Sequence, residues 1–413
     1  MKPVSRRIFL RDGATTVLGL SMVPGFLHRA AFAAEPRSGR RKTFVTIFQR
    51  GGVDGLNMVV PHGDTHYYEY RPSIAVPAPS REGRAALELD GFFGLHPELG
   101  TLHELYGKGE LAVINAVGSP HATRSHFEAQ DYMESAVPGD KTVHDGWLNR
   151  YMHRNQHPEA TTFRAVAMGP VLPKALKGDA PALALGGMGP TGPIAEAAPI
   201  YESLYDGEAN ALVSGTAKEM FEALRQLKEV DPARFAPPQG VQYPNNDFGR
   251  SMRELAQIIK ADLGVEIAFV DIGGWDTHNN QGAVEGGELP GRLRIFANTI
   301  SAFYRDLGDR MGDVVILTMS EFGRTARENG NAGTDHGKAN AMFVLGGSVK
   351  GGKVYGQWPG LAPEQLNEDR DLALTTDFRD VFAELLVGHL ECKDPSAIFP
   401  DFTPDVTRFK GLI

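Results

Sequence analysis

The sequence contains a single cysteine, Cys392, among its 413 residues. A lone cysteine excludes an internal disulfide, so the folded chain must be stabilised by packing and by any ion that it binds. Outside its first residues the sequence also lacks a long basic run, and its formal net charge is -9. Both features argue against a nucleic-acid-binding surface, and we expect no nucleic-acid partner.

Long apolar runs are also missing, and their absence bears on membrane attachment. The apolar stretch Ala14–Leu20 is shorter than the roughly 20 residues that span a bilayer. It follows Ser5–Leu10 (SRRIFL), which has the twin-arginine pattern, and precedes Ala31-Phe32-Ala33, a small-x-small cleavage site. We therefore expect residues 1–33 to be a signal peptide that the twin-arginine export machinery reads, with an uncleaved membrane anchor as the alternative. The mature chain would start near Ala34, in the periplasm or outside the cell, with no stable membrane span.

The composition is that of a globular protein rich in turns, with 42% hydrophobic residues, 48 Gly and 27 Pro. About 380 residues would remain after cleavage, enough for one large α/β domain or two smaller ones. We expect one domain over residues 34–413. The segment near 174–246 is rich in Gly and Pro, and we interpret it as an insertion that caps the site.

Short apolar runs alternate with longer amphipathic stretches. Runs rich in β-branched and aromatic residues predict buried strands at Phe44–Phe48, Leu111–Ile114, Ile267–Val270, Val314–Leu317 and Met342–Leu345. Spaced apolar positions predict helices over Ala209–Val230, Phe248–Leu263, Leu293–Leu307 and Phe378–Leu390. This alternation predicts a three-layer α/β fold, with a mainly parallel central sheet and helices on both faces.

Polar residues follow the first two of these strands. Asp54 lies in a glycine-rich turn, where it could reach the sheet edge or simply form an Asp-Gly turn with Gly55. Thr123 and Ser125 precede a helix start, where either hydroxyl could cap the helix or act as a nucleophile activated by a metal ion. The sequence leaves these alternatives open.

Acidic residues and histidines follow the later strands. Asp276 and His278 are two apart, so in an extended segment both could ligate one ion, although Asp64 and His66 repeat the same spacing. A further group flanks a loop of small residues: Glu321, Asp335 and His336. Mixed carboxylate and imidazole ligands suit a divalent ion, with zinc, manganese, iron and calcium all open.

The order of these motifs resembles the alkaline phosphatase superfamily, which includes sulfatases and phosphodiesterases. More closely, the motifs Ser-Arg-Arg, Gly-Gly-Val-Asp-Gly-Leu-Asn, Trp-Asp-Thr-His, Ser-Glu-Phe-Gly-Arg-Thr and Gly-Thr-Asp-His-Gly resemble the exported bacterial proteins called DUF1501. The resemblance runs from about Phe44 to about Leu390. It implies an alkaline-phosphatase-like fold.

The resemblance also implies roles for individual residues. Asp54 matches the superfamily's first-strand metal ligand, and Ser125, or Thr123 as second choice, matches the nucleophile. Asp276 and His278 match the aspartate–histidine ligand pair, although the usual spacing is wider.

Two later positions depart from the superfamily pattern. Glu321 stands where relatives have an aspartate ligand, and Phe322 stands where they have a histidine, so a second ion would be absent or held differently. His336 matches the late histidine ligand, with Asp335 as an extra ligand or a partner of one.

The function implied is an exported metal-dependent hydrolase of phosphate or sulfate esters, acting on an anionic ester substrate. Arg324 or Arg124 would bind the substrate anion, unless each forms only a structural ion pair. A formylglycine-type sulfatase is disfavoured because Cys392 lacks the Cys-x-Pro-x-Arg context. The alternative is a non-catalytic secreted binding or assembly protein on the same fold, with an eroded metal site.

Overall fold

A computed structural model of the protein describes residues 41–157, 160–186, 225–226 and 234–413. The signal peptide predicted for residues 1–33 lies outside the described residues. So do the helix predicted over Ala209–Val230, apart from residues 225–226, and the middle of the predicted cap. Among the helices in the described ranges, none combines the length and apolar character that crossing a membrane requires.

Two sheets are present in the described part of the chain, a central one of nine strands and a small one of three. In chain order the strands are β1 (Thr43–Arg50), β2 (Val59–Val60), β3 (Leu87–Glu88), β4 (Gly94–Leu95), β5 (Leu111–Gly118), β6 (Ala165–Ala167), β7 (Leu183–Ala184), β8 (Ile267–Gly273), β9 (Val314–Met319), β10 (Asn340–Gly346), β11 (Lys353–Tyr355) and β12 (Thr376–Asp377). The small sheet consists of β2, β3 and β4. All five predicted strands are confirmed.

The central sheet is mostly parallel, as predicted. Its order is β11-β5-β10-β9-β1-β8-β6-β7, and β12 pairs with β5. Only β10 runs antiparallel to its neighbours, β5 and β9. Loop 320–339, not a crossover helix, leads from β9 into β10, so β10 starts at the edge where the parallel strands end. Residues just before β10 therefore join residues that follow β1, β8 and β9.

Helices cover both faces of the sheet. They are α1 (Gly55–Met58), α2 (Thr65–Tyr70), α3 (Gly100–Gly107), α4 (His126–Ser135), α5 (Trp147–Arg154), α6 (Asp247–Lys260), α7 (Leu289–Leu307) and α8 (Phe378–Gly388). Three of the four predicted helices are thus confirmed with slightly different ends, as α6, α7 and α8.

Side-chain alternation along the strands creates the three layers. In β1, Val45 and Ile47 belong to the core cluster that contains α3, α6 and α7, whereas Phe44 and Phe48 belong to the cluster of α4, α5 and α8. The second face includes a stack of Trp147 on Phe382, with ring centroids 4.4 Å apart. A strand buried on both faces reads as a continuous apolar run, which explains the sequence of β1.

Candidate metal centre

The candidate centre lies at the edge where β1, β8 and β9 end. After β1 the chain turns at Gly51, whose φ is +123°, and its backbone packs on the segment after β8. A Cβ at Gly51 would lie 2.7 Å from the Asp276 backbone nitrogen, so only glycine fits there. This close approach brings the strand ends together beneath the centre.

Three imidazole rings face one carboxylate at this edge. The Nε2 atoms of His278 and His336 lie 3.0 and 3.2 Å from Asp276 Oδ1. The Nε2 atom of His126 lies 3.4 Å from Asp276 Oδ2. His126, Asp276 and His336 form a group whose ligand atoms all lie within 4.8 Å of one another. These two nitrogens and the carboxylate could hold a metal ion, and His278, which contacts Asp276 and His336, lies outside this group of three.

The other nitrogen of each ring is held by an acceptor. His126 Nδ1 bonds to Glu321 Oε1 at 2.8 Å, and His278 Nδ1 bonds to Asp335 Oδ1 at 2.9 Å. His336 Nδ1 bonds to the carbonyl oxygen of Arg124 at 2.8 Å. A carboxylate or carbonyl oxygen can only accept, so each Nδ1 must donate its proton, and a ring that is neutral keeps its lone pair on Nε2. The hydrogen bond to Glu321 raises the pKa of His126 and so favours the protonated form of that ring in the absence of an ion.

This arrangement leaves two lone pairs facing each other. His278 Nε2 and His336 Nε2 are 2.9 Å apart. Two unprotonated nitrogens cannot hydrogen-bond to each other, so this contact is favourable only when a proton or a cation lies between them. Nε2 of His126 is buried and has no hydrogen-bond partner within the described residues. Such an unpaired buried nitrogen is costly unless a ligand satisfies it.

The local charges keep the carboxylates ionised. Burial raises the pKa of Asp276, but the hydrogen bond and charge of Arg324 outweigh burial and hold that pKa below its usual range. Burial likewise opposes ionisation of Glu321, yet hydrogen bonds from His126 and Gln130 lower its pKa. Burial lowers the pKa of His336, which favours the neutral imidazole that binds metal.

Arg324 does not have the predicted substrate-binding role. Its side chain is fully buried, and it donates to Asp276 Oδ1 at 2.6 Å. Its remaining donors are taken by four backbone carbonyls, those of Gly51, Gly52, Trp275 and Thr334. Because the side chain is fully buried, it is out of reach of a substrate anion, and it instead orients Asp276.

Asp54, predicted as a metal ligand, lies in a different environment. Its side chain is fully buried and pairs with Arg71, with Nη1 and Oδ2 2.6 Å apart. Asp54 Oδ2 also accepts from Gln281 Nε2 at 2.6 Å, and Asp54 Oδ1 accepts from the start of α1. Its charge is already compensated, so Asp54 stands apart from the group around Asp276.

Ser125 and Thr123 lie beside the centre, in the segment between β5 and α4. Ser125 is the exposed N-cap residue of α4 and makes no capping hydrogen bond with its side chain. Thr123 Oγ1 donates to Glu128 at 2.7 Å. Ser125 follows Arg124, which bonds His336, and precedes His126, so it sits between two residues that contact the centre.

Glu321, Asp335 and Phe322 surround the histidines. The two carboxylates, predicted as ligands, lie against the Nδ1 atoms of His126 and His278 and so orient those rings. The Phe322 ring lies 4.8 Å from both the His126 and the His336 rings, centroid to centroid. Phe322 therefore forms an apolar wall beside the His126 and His336 rings.

Sequence reasoning missed His126. It stands one residue after the proposed nucleophile, at the first position of α4. The sequence contained one signal that could have revealed it, because a strand end followed by a histidine at a helix start places that ring at the edge where the other histidines lie.

The second Asp-x-His copy is structural. Asp64 caps α2 by accepting from the backbone of His66, and its other oxygen accepts from Trp358 Nε1 at 3.1 Å. Helix capping accounts for this spacing without an ion.

Comparisons with known proteins cover most of the chain. The model of a family described as "Protein of unknown function (DUF1501)" matches residues 41–398, from the start of β1 to beyond α8. A comparison with curated proteins finds no match. Among solved structures, the chain is similar to the crystal structure of PsFucS1 sulfatase from Pseudoalteromonas sp., with a TM-score of 0.37 and 13% identity, over 94% of this chain and 72% of that chain.

Proposed function

We propose that this chain, which belongs to the DUF1501 family, is an exported, metal-dependent hydrolase of phosphate or sulfate esters. One observation carries the proposal: the Nε2 atoms of three histidines converge on Asp276 while their Nδ1 atoms are held by acceptors. Export rests on the twin-arginine pattern around Arg6 and Arg7.

The geometry of the donors fits a small ion. His278 Nε2, His336 Nε2 and Asp276 Oδ1 form a triangle with sides of 2.9, 3.0 and 3.2 Å. A tetrahedral site with bonds of about 2.0–2.1 Å has ligand atoms about 3.3 Å apart, so the triangle needs little adjustment to receive an ion. Three nitrogens and one oxygen favour zinc, iron or manganese over calcium, which prefers oxygen ligands.

Different side chains of the centre would have different roles in the reaction. A bound divalent ion would neutralise the ester oxygens and lower the pKa of the nucleophile. Asp276, His126, His278 and His336 would hold that ion, and Arg324 would orient Asp276. The carboxylates described above would hold two of the rings in the tautomer that binds metal.

We favour Ser125 over Thr123 as the nucleophile. Thr123 already donates its proton to Glu128. Ser125 has an exposed hydroxyl and lies between Arg124 and His126, both of which contact the centre. Its hydroxyl could therefore lose a proton to solvent once an ion lowers its pKa.

A cleft beside the centre would take the substrate. Glu321 and Phe322 form its wall toward the histidines. Lys338 also lines it and is the cation that could meet an anionic ester, since Arg124, in the same lining, is already paired with Glu368 and Asp371.

The proposal is tested on protein purified without chelator from the periplasmic fraction. Wild-type protein should reach that fraction, and a variant with Arg6→Lys and Arg7→Lys should not. Metal content is then measured together with turnover of aryl phosphate and aryl sulfate esters. Asp276→Asn and His336→Ala should each lose most of the metal and the activity with the fold intact. Ser125→Ala should lose activity and keep the metal.

Some results would contradict this reading. Full activity in Ser125→Ala, together with loss in Thr123→Ala, would move the nucleophile two residues upstream. Wild-type metal content in both Asp276→Asn and His336→Ala would place the metal elsewhere.

A second candidate function is a secreted metal-binding or assembly protein without catalysis. Two observations favour it: Asp54 is neutralised by Arg71, and Phe322 replaces a ligand, so a second ion has no ready ligands here. Bound metal without turnover of any ester in the panel would support this alternative.

A further inference from the structure

Arg124 touches the candidate centre through its backbone and a distant loop through its side chain. Its carbonyl oxygen accepts the hydrogen bond from His336 Nδ1 at 2.8 Å. Its guanidinium donates to Glu368 Oε2 at 2.7 Å and to Asp371 Oδ2 at 3.1 Å. One residue thus connects a ring of the centre with the loop that precedes β12.

Asp371 provides a fixed partner for that guanidinium. Its side chain is fully buried. Its backbone pairs with Asn367 in both directions, at 2.9 and 3.0 Å, and forms a β-bridge with Thr325. Thr325 follows Arg324, which holds Asp276. The Asp371 end of the ion pair is therefore tied to the same segment that orients the carboxylate of the centre.

The segment that carries the Arg124 carbonyl is held by local hydrogen bonds, from the Thr123 N–H to His121 Nδ1 and from the Ser125 N–H to Thr123 Oγ1. Residues 119–125 form an irregular connection between β5 and α4. Arg124 is exposed, and its side chain retains 38% of its accessible surface. The pairing with Asp371 joins the Arg124 side chain to a buried carboxylate, while His121 in the same connection packs on the buried ring of Tyr132.

We propose that Arg124 is a positioning residue of the metal centre. Its ion pair with Asp371 holds the Arg124 carbonyl against His336 Nδ1, which keeps the His336 Nε2 lone pair directed at the ion. The Arg124–Asp371 pair thereby sets the affinity of the centre for its metal. The inference rests on the metal centre of the proposed function but not on ester hydrolysis.

Co²⁺ is the probe that tests it, because its visible absorption reports the coordination of the ion. Co²⁺ affinity is measured on the purified full chain by competition with a chelator. Removing a group that orients a ligand histidine lowers metal affinity about 10–100-fold, and we expect that loss in both Arg124→Gln and Asp371→Asn. Both variants should also change the Co²⁺ absorption bands. Arg124→Lys keeps the charge but not the planar guanidinium, so its Co²⁺ affinity should lie between those of wild type and Arg124→Gln.

Arg310→Gln is the control for loss of an arginine ion pair away from the centre. Arg310 pairs with Asp262, with Nη2 and Oδ2 2.8 Å apart, but Asp262 is exposed where Asp371 is buried, and Arg310 precedes β9 and so lies at the opposite edge of the sheet. This variant should change neither the affinity nor the spectrum, even if it lowers the melting temperature.

The possible results test the positioning role of Arg124 separately from the proposed ester hydrolysis. Unchanged affinity and spectrum in Arg124→Gln would overturn the positioning role. An equal loss of affinity in Arg310→Gln would also overturn it, because the effect would then follow from general destabilisation. Co²⁺ binding with these expected changes but without ester turnover would support the positioning role and contradict the proposed hydrolase. A wild-type chain that binds no Co²⁺ would overturn both.

Discussion

Two fully buried glutamines, Gln49 and Gln281, differ in how their amides are satisfied. The Gln49 side chain reaches only the Met58 sulfur, at 3.8 Å, and its Oε1 has no partner within the described residues. Because an unsatisfied buried amide oxygen costs about 1–3 kcal/mol, we expect Gln49→Met to raise the free energy of unfolding by about 1–2 kcal/mol. Urea denaturation measures this change.

Gln281→Met is the control for that prediction. Gln281 donates to Asp54 and accepts from Thr277 and Thr334, so the same replacement there leaves buried groups unpaired and should destabilise the protein. If both substitutions destabilised the fold equally, Gln49 Oε1 would have a partner, such as a buried water.

Single residues also decided which parts of the centre could be predicted from the sequence. Asp276, His278 and His336 were predictable, because each stands beside a short apolar run in an unusual polar context. The environment of Asp54 was not, because its partner Arg71 lies 17 residues away and sequence spacing does not reveal that pair. The same holds for Arg324, whose donors meet carbonyls from three separate segments.

At the level of elements, the turn after β1 sets the position of the segment that carries Asp276. We expect Gly51→Ala to lower both the melting temperature and the metal content. The substitution would place a Cβ 2.7 Å from the backbone nitrogen of Asp276 and 2.9 Å from that of Trp275. It would also put a side chain on a residue with a φ of +123°, which residues other than glycine rarely adopt. Strain of this kind costs about 1–3 kcal/mol before the clash is counted.

Gly91→Ala separates strain from clash in that experiment. Gly91 has a φ of +88°, and a Cβ there would meet nothing within 4 Å. It should lower the melting temperature less than Gly51→Ala and leave the metal content unchanged. Equal effects of the two variants on metal content would contradict a specific role for the Gly51 turn.

Strands and helices were easier to predict than their directions. Strands buried on both faces must be apolar throughout, so all five predicted runs were recognisable. The direction of β10 was not predictable, because the loop of small residues before it does not reveal whether the chain crosses over or turns back. The antiparallel return is what brings His336 to the edge where β8 and β9 end.

At the scale of the whole molecule, two histidines buried far apart link stability to pH. His96 bonds to the Ala283 carbonyl and His389 bonds to the Thr43 carbonyl, and burial lowers the pKa of each to about 4. Their unfolded pKa is about 6.5, so between about pH 6.5 and pH 4 the unfolded chain binds more protons than the folded one. Acid in this range should therefore destabilise the fold.

Glu266 extends the effect to lower pH. Burial opposes its ionisation, but hydrogen bonds from His157, Arg164 and Tyr151 outweigh burial and lower its pKa to about 2. Because the folded pKa lies below the unfolded one, the stabilisation is present above about pH 4.5 and is lost as the pH falls toward 2. The two windows follow one another, the histidines first and Glu266 second.

We expect the free energy of unfolding to fall steadily from pH 7 to pH 4, by up to about 1.4 kcal/mol per pH unit for each histidine. Urea unfolding in the presence of chelator measures this free energy without any contribution from bound metal.

His389→Gln removes one titrating group and should reduce the slope of the free energy of unfolding against pH between about pH 6.5 and pH 4. His153 is exposed and serves as the control position, so His153→Gln should leave that slope unchanged. A free energy of unfolding that stays constant over this range would show that the two buried rings do not resist protonation, and that their contacts with the Ala283 and Thr43 carbonyls survive in the charged form.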